Sequence, residues 1–408
     1  MSRPSTCACL VPLAVCVLVL AGAAPGQERR PAKHPLAGID PKALEDPAVA
    51  EKTAAMLEEK YKGRRAPEAV RMLIDIVHDK IGGNYGWFGP AESRYTWVWL
   101  AKRCGVDPDK GGIARDRFSG PDEIFARLDR NRDGVIRPAD LDWSEKNPDV
   151  QMAAMVNRIY RFLNAGGNGR LTREEMLRFF EKAAAGKDHV TPDAFRETLL
   201  AGFSGGFLPG DAPTREVLIR GLFNGELGSV YEGPRLNDPA PNFTLKTADG
   251  KESIELASLI GKKPVVLALG NFTCSPYRAT YAEVDGLHAR YKKDANFLMV
   301  YVREAHPTDG WKMEVNERVG VSVKQPTTLA ERAVVAGRFC SRLKPNMPVV
   351  VDDVDDNVGH AYSGMPGRFY VIDTAGKVAY KSGRGPFGFR VGELEQALVM
   401  ALVEQTKK

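Results

Sequence analysis

The chain has 408 residues, 27% charged and 43% hydrophobic, with 57 Lys and Arg against 52 Asp and Glu for a net charge of +5. That basic excess is mild and spread along the chain, which argues against nucleic acid as a partner, because such proteins gather Lys and Arg on one face or in one tract. With 40 Gly and 27 Pro the composition stays below the roughly 25–30% that marks low complexity, and the length suits two or three domains.

Residues 1–23 carry the parts of a secretory signal: Arg3, an apolar run from Cys7 to Leu20, and the small-residue site Ala21-Gly22-Ala23. The expectation is an exported protein, secreted or periplasmic, cleaved after Ala23 or Ala24. An uncleaved N-terminal membrane anchor is the alternative, since no charge falls between Arg3 and Glu28. Cys7, Cys9 and Cys16 belong to this leader, which leaves Cys104, Cys274 and Cys340. An odd number in an oxidising compartment leaves a thiol unpaired or shared between chains, so a homodimer stays open. Residues 24–115 read as a helical N-terminal region after a polar lead-in. Ala69, Met72, Leu73, Ile76 and Val77 recur at helical spacing, and Tyr95 to Leu100 is an aromatic stretch of core type.

Residues 116–203 read as a pair of EF-hand loops in an all-α setting. Asp129, Asn131, Asp133 and Asp140 place oxygen donors at positions 1, 3, 5 and 12 of a twelve-residue loop. Val135 supplies its carbonyl at position 7, Gly134 the turn at position 6, and Ile136 a residue to pair with a sister loop. Ser119 is placed to cap the entering helix and Pro138 to open the exiting one. The expected ion is Ca2+; Asp140, shorter than the usual Glu, weakens calcium or favours Mg2+. The second loop holds Asn164, Asn168, Arg170 and Glu175 in the same frame, after a helix with Met152, Met155, Val156, Ile159, Phe162 and Leu163 on one stripe. Only Glu175 among its donors is charged, so it is a weaker metal site or a structural partner of the first. Lys187 to Pro192 reads as a third, decayed half-hand with His189 on the surface. Residues 204–235 read as a linker, with Ser204 to Pro213 as its hinge.

From residue 236 to 408 short β-rich runs alternate with helical ones, the pattern of an α/β domain built on βαβ units. The run from Lys263 to Leu269 is a strand, followed by Asn271-Phe272-Thr273-Cys274-Ser275-Pro276-Tyr277 and a helix. A cysteine at such a turn faces the unpaired N–H groups and positive dipole end of the helix, which stabilise a thiolate. Cys274 is therefore the nucleophile candidate. Tyr277 stands where a Cys-x-x-Cys motif has its second sulfur, so no local disulfide forms. A second strand, Phe297 to Val302, runs into Glu304-Ala305-His306-Pro307-Thr308-Asp309-Gly310-Trp311. Cys340, on a helix from 329 to 343, reads as a buried thiol or a resolving one, and Cys104 as a buried thiol. The acidic run Asp352 to Asp356 reads as a solvated loop.

With these residues in place the chain resembles the iodothyronine deiodinases, a thioredoxin-fold family whose selenocysteine sits in a G-S-C-T-U-P-P-F turn followed by E-A-H-P-S-D-G-W. Phe369-Tyr370-Val371-Ile372 and Ser382-Gly383-Arg384-Gly385-Pro386 continue the likeness, over residues 236–404. The resemblance implies a thioredoxin-like domain with Cys274 in the selenocysteine position. It also implies Glu304 and His306 as the acid–base and orienting pair, a protonated His lowering the thiol pKa and delivering a proton. Met365-Pro366 is placed like the cis-proline that flanks thioredoxin-type sulfurs. The departures are sulfur for selenium and Phe272 for an additional family cysteine. In addition, Pro326 stands near the place of a second family histidine, with His360 elsewhere. The vertebrate family has no EF-hands, and Asn271 stands where a peroxiredoxin carries threonine. The expected whole is an exported, calcium-binding thiol oxidoreductase that reduces a halogenated aromatic, a peroxide or a disulfide with an external thiol reductant. The alternative is a calcium-binding interaction protein whose redoxin domain is catalytically silent.

Overall fold

The computed structural model describes residues 34–80, 90–144, 146–201, 213–386, 388 and 390–406. The leader, its cleavage site and nearly all of the hinge at 204–213 lie outside the described residues. The N-terminal region opens with α1 (Pro47–Tyr61), whose Asp46 cap accepts the Ala48 N–H, and α2 (Glu68–Val77). The expected α2 stripe is buried in full: Ala69, Met72, Leu73, Ile76 and Val77. Then follow β1 (Glu92–Ser93), α3 (Trp97–Arg103) and β2 (Ile113–Ala114). The region read as helical thus supplies two strands.

The next stretch holds α4 (Asp122–Leu128), β3 (Val135–Ile136), α5 (Pro138–Leu141), α6 (Pro148–Leu163), α7 (Arg173–Ala184) and α8 (Pro192–Leu200). It departs from a paired EF-hand in three ways. Pro121, not Ser119, is the N-cap of α4. Ile136 pairs with Ile113 of β2 rather than with the sister loop, and the sister residue Leu171 gives its N–H to the Tyr160 hydroxyl at 3.0 Å. Nor does the stripe of α6 turn wholly inward: Met152, Met155 and Val156 are more than half exposed, while Phe162 meets Phe179 edge-on at 6.3 Å. With β3 in a two-stranded ladder the stretch is not all-α. Helix α9 (Arg215–Phe223) falls inside the segment read as linker; Leu218, Ile219 and Leu222 pack into one apolar cluster with α1 and α2.

The remainder is β4 (Thr244–Thr247), β5 (Ser253–Glu255), α10 (Leu256–Leu259), β6 (Val265–Gly270), α11 (Ser275–Tyr291), β7 (Asn296–Tyr301), α12 (Glu314–Arg318), α13 (Leu329–Leu343), β8 (Val349–Val351), α14 (Asn357–Tyr362), β9 (Gly367–Ile372), β10 (Val378–Lys381) and α15 (Val391–Gln405). The sheet runs β1-β10-β9-β6-β7-β8-β4-β5. Strands β6, β7 and β8 are parallel, β9 lies antiparallel to β6, and β10 antiparallel to β9. All six residues of β6 are buried. Burial along its whole length is why this strand reads as an unbroken apolar run.

The loops upstream are seated on this sheet's helices. Helix α4 packs on α15, and Trp143 Nε1 donates to Gln396 Oε1 at 2.9 Å. In the second loop Gly166 O accepts from Arg342 Nη2 of α13 at 2.9 Å. Gly169, at φ +71°, lies so close to α11 that a Cβ there would be 2.6 Å from the Ala279 carbonyl. Glu68 of α2 ties the N-terminal helices down: its carboxylate meets Arg368 of β9 at 2.7 Å and Arg384 at 3.0 Å, all three side chains buried.

Candidate active site

Strand β6 ends at Gly270, over which the Tyr277 ring packs closely enough to exclude any Cβ. The chain then turns through Asn271, Phe272 and Thr273 to place Cys274 as the N-cap of α11. The strand-to-helix position expected of the sulfur is therefore present. Its surroundings are not those expected of a reactive thiolate. Cys274 is 0% exposed. Burial pushes its thiol up to about 11, Glu304 adds to this, and a backbone hydrogen bond from Tyr277 and the charge of Arg278 only partly offset it. Desolvation thus works against the ionised thiol, in opposition to the helix terminus.

The two family segments meet through one polar network. Glu304 Oε2 accepts the Thr273 N–H at 2.9 Å and the Thr273 hydroxyl at 2.7 Å, and Oε1 accepts the Tyr301 hydroxyl. Thr273 Oγ1 in turn accepts the His306 N–H at 3.0 Å. Asn271 Oδ1 accepts the N–H groups of Cys274 at 3.0 Å and Ala305 at 3.3 Å, while its Nδ2 donates to Pro366 O at 3.1 Å. The Met365–Pro366 bond is cis, as is Gly385–Pro386. Burial raises the Glu304 carboxyl above its ordinary range despite the three hydrogen bonds it accepts.

His306 departs from its expected role. Burial, with the charge of Arg278 adding to it, lowers its imidazole to about 4, which works against the protonated form that role requires. Its Nδ1 lies 3.1 Å from Trp311 O, and the rings of His306 and Trp311 meet edge-on at 4.6 Å. Trp311 itself packs against the apolar cluster of α1, α2 and α9. Cys340 is half-buried on α13, its thiol also pushed up to about 11 by burial. Cys104 is half-buried and raised by burial, and neither it nor Cys340 is bonded to another thiol.

Three functional neighbours escaped sequence reasoning. Asn271 holds the backbone of the turn and of the Glu304 loop together. Arg278, whose N–H donates to Cys274 O at 3.1 Å, is fully buried. Asn316 Nδ2 donates to Thr273 O at 2.8 Å. Arg278 carried one usable signal, a charge one helical turn beyond the cysteine; the amides carried none.

The acidic run also differs from the solvated loop expected. Asp352 and Asp356 are buried. Asp352 accepts the N–H groups of Asp353, Val358 and Gly359, and Asp356 pairs with Arg332 at 3.2 Å. Burial and Asp356 push Asp352 up to about 7.

The candidate metal loops were tested on their donors. In the first, Asp129 accepts the N–H groups of Asp133 and Gly134, Asp133 that of Val135, and Asp140 those of Asn131 and Arg137. These are the turns of a cation loop, but the Arg137 guanidinium sits on Asp133. In the second, Asn164 Nδ2 donates to Asn168 Oδ1 at 3.2 Å, Arg170 O at 3.0 Å and both Glu175 oxygens at 3.2–3.3 Å. Its amide therefore fills the centre where an ion would lie, and the second loop does not fit a metal. Among the described residues no three His, Cys, Asp or Glu side chains are gathered to hold one. His189 is exposed against Asp188.

Strand order and a lone cysteine heading the first crossover helix define a thioredoxin-like oxidoreductase domain. The family model for iodothyronine deiodinase matches residues 215–401. The thyroxine 5-deiodinase of Gallus gallus is 31% identical over 177 residues, which cover 43% of this chain and 67% of that protein. That of Ovis aries is 31% identical with 59% of its length covered, and the type II iodothyronine deiodinase of Rattus norvegicus is 29% identical with 74% covered. Through this C-terminal part the chain belongs to the iodothyronine deiodinase family. It spans somewhat more than half the length of several of these relatives, 59% in sheep and 56% in Sus scrofa. Among solved structures, a putative thiol:disulfide interchange protein DsbE from Chlorobium tepidum aligns over 42% of this chain and 99% of its own, at 22% identity and a TM-score of 0.31.

Proposed function

We propose that the chain is a thiol-dependent reductive oxidoreductase with Cys274 as nucleophile and a halogenated aromatic as substrate. The observation that supports this is the network of Asn271, Thr273 and Glu304 that holds the Cys274 turn, in a chain of the deiodinase family. For an aryl iodide, the thiolate takes iodine from carbon, the C–I bond breaks, and the aryl carbon takes a proton. Glu304, a buried carboxyl whose pKa burial raises, is the candidate to deliver that proton. Two equivalents of an external thiol then convert the sulfenyl iodide to thiol, giving a disulfide and hydrogen iodide. With a peroxide, the O–O bond breaks as the sulfur takes one oxygen to form a sulfenic acid and an alcohol or water leaves; two external thiols then restore the thiol, giving a disulfide and water. With a disulfide, it displaces one thiol and is freed by the reductant. The test is a panel of aryl iodides, peroxides and disulfides with a thiol reductant, run on wild type and Cys274→Ser. Turnover by the wild type alone is expected; equal rates in both would remove the reading.

The complete burial of Cys274 and the neutrality of His306 favour a second reading, a binding protein whose redoxin part is silent. It predicts no turnover by either chain. Cation binding is proposed for the first loop only, with Asp129, Asn131, Asp133, Asp140 and the Val135 carbonyl as ligands once Arg137 releases Asp133. Millimolar calcium should raise the melting temperature of the wild type and not of Asp129→Ala. Export is proposed on the leader pattern alone.

A further inference from the structure

One helical turn beyond Cys274, whose carbonyl accepts its N–H at 3.1 Å, stands a buried cation whose side-chain hydrogen bonds among the described residues go to neutral groups. Arg278 is 0% exposed. Its Nη1 donates to the Phe272 carbonyl and its Nη2 to Asn316 Oδ1 at 2.8 Å. Its Nε is buried without a hydrogen-bond partner among the described residues. A guanidinium removed from water and answered by a carbonyl and an amide is costly to keep, and the cost is offset when an anion forms beside it. Burial brings Arg278 down to about 10, and the groups that act on it are few: Cys274, Glu304 and Tyr301 support its charge, while Arg342 of α13 opposes it. Around Cys274 itself lie Tyr277 and Arg278 on α11 and Glu304 after β7, with His306 held neutral. Among the described residues, Arg278 is the cation whose charge favours the thiolate, while Glu304 opposes it.

We propose that Arg278 is the counter-cation of the Cys274 thiolate, a positioning residue that allows a sulfur sealed from water to ionise. This rests on the thiol-redox reading above and deepens it: the charge that His306 does not supply at neutral pH comes from one helical turn into α11. The plain alternative is that Arg278 only ties Phe272 O to Asn316 and so shapes the turn.

Thiolate absorbance near 240 nm, titrated on the full chain as the difference between each variant and the same variant carrying Cys274→Ser, separates the two. Arg278→Gln keeps a hydrogen-bonding group and removes the charge. It should raise the Cys274 midpoint by at least about one unit, a tenfold loss of thiolate at any pH below it, while Arg278→Lys keeps the midpoint near that of the wild type. Equal midpoints in wild type and Gln, or equal shifts in Gln and Lys, overturn the proposal. Should the Gln variant not fold, a second comparison leaves Arg278 in place. Cys274→Asp puts a fixed anion beside it and should melt no lower than Cys274→Asn at pH 8, whereas a lower melting point overturns the proposal. The midpoint needs no turnover, so the two readings fail separately. An inactive wild type with the Arg278 shift intact removes the enzyme and keeps the counter-cation; an active one with no shift removes the counter-cation alone.

Discussion

Replacing Glu68 with alanine should unfasten the N-terminal helices from the sheet. The carboxylate lies 2.7 Å from Arg368 and 3.0 Å from Arg384, and Arg384 reaches on to Ser363 Oγ at 2.7 Å and Ser229 O at 2.8 Å. Burial works against the ionised acid, yet the two guanidiniums, with Lys381, outweigh it and hold its pKa far below the usual carboxylate range. Removing one partner of such a buried group leaves the others uncompensated, at about 3–5 kcal/mol. For a chain of 408 residues melting as one unit, an unfolding entropy of about 2.1 cal/mol/K per residue makes this a fall of about 4–6 °C in Tm. Glu68→Gln, which keeps a hydrogen bond and loses the charge, should fall between the two. The sign with pH follows from the depressed pKa. Glu68 contributes its full stabilisation above the unfolded value near ~4.3 and loses it as pH falls toward the folded one. The gap between wild type and variant should therefore narrow in acid. Urea unfolding followed by tryptophan fluorescence measures both. A loss under about 1 kcal/mol at pH 7, or a gap that does not change in acid, would refute the reasoning.

Three other outcomes are expected. Gly169→Ala should cost about 2 kcal/mol or more, from its positive φ and its approach to the Ala279 carbonyl; Gly134→Ala, also at positive φ but with open space around it, should cost only the strain of about 1 kcal/mol. Equal losses by thermal unfolding would mean that the second loop is not seated on α11. Asn164→Asp removes the amide that fills the second loop and sets a carboxylate against Glu175, so the variant should melt lower than wild type without metal and recover in millimolar calcium, unlike Asn164→Ala. Cys274 reactivity toward iodoacetamide should climb toward pH 11 rather than level off below pH 8. Because burial raises this acid, the stability it contributes is whole below a free thiol's ~8.5 and is lost as pH rises toward 11, a loss Cys274→Ser should not show.

Much of the sheet was legible because its strands are buried on both faces and its helices are amphipathic. The run ending at Leu269, the strand before Glu304 and the helix holding Cys340 all stand within a residue or two of where the pattern puts them. The sulfur's place at the turn was equally plain, since a strand, a cysteine and a proline-opened helix are local features. What the pattern could not convey was solvent. Whether Cys274 is a thiolate depends on its burial and on charges tens of positions away, among them Glu304. The same holds for Asp352 and Asp356, whose acidity reads as exposure until Arg332 and the α14 N–H groups are found beside them. Ile136 took β2 as its partner because Ile113, already in the core, offered a ladder that the loop spacing does not encode. Asn164 carried the legible part of the second loop's failure, an amide where a charge belongs; that the same amide would fill the gap was not legible.

The seating of the upstream loops has a consequence for how far the chemistry could travel. A catalytic module that moves between proteins usually brings its surfaces finished. Here α15 is finished by α4 and Trp143, α11 by the backbone of Gly169, and the outer edge of β10 by the two residues of β1. Cut at residue 236, the family segment would present bare apolar helix faces and an unpaired strand edge, a template for adding another chain. It would be expected to aggregate rather than to act as a smaller enzyme. The upstream half is part of the surface on which this cysteine domain is closed.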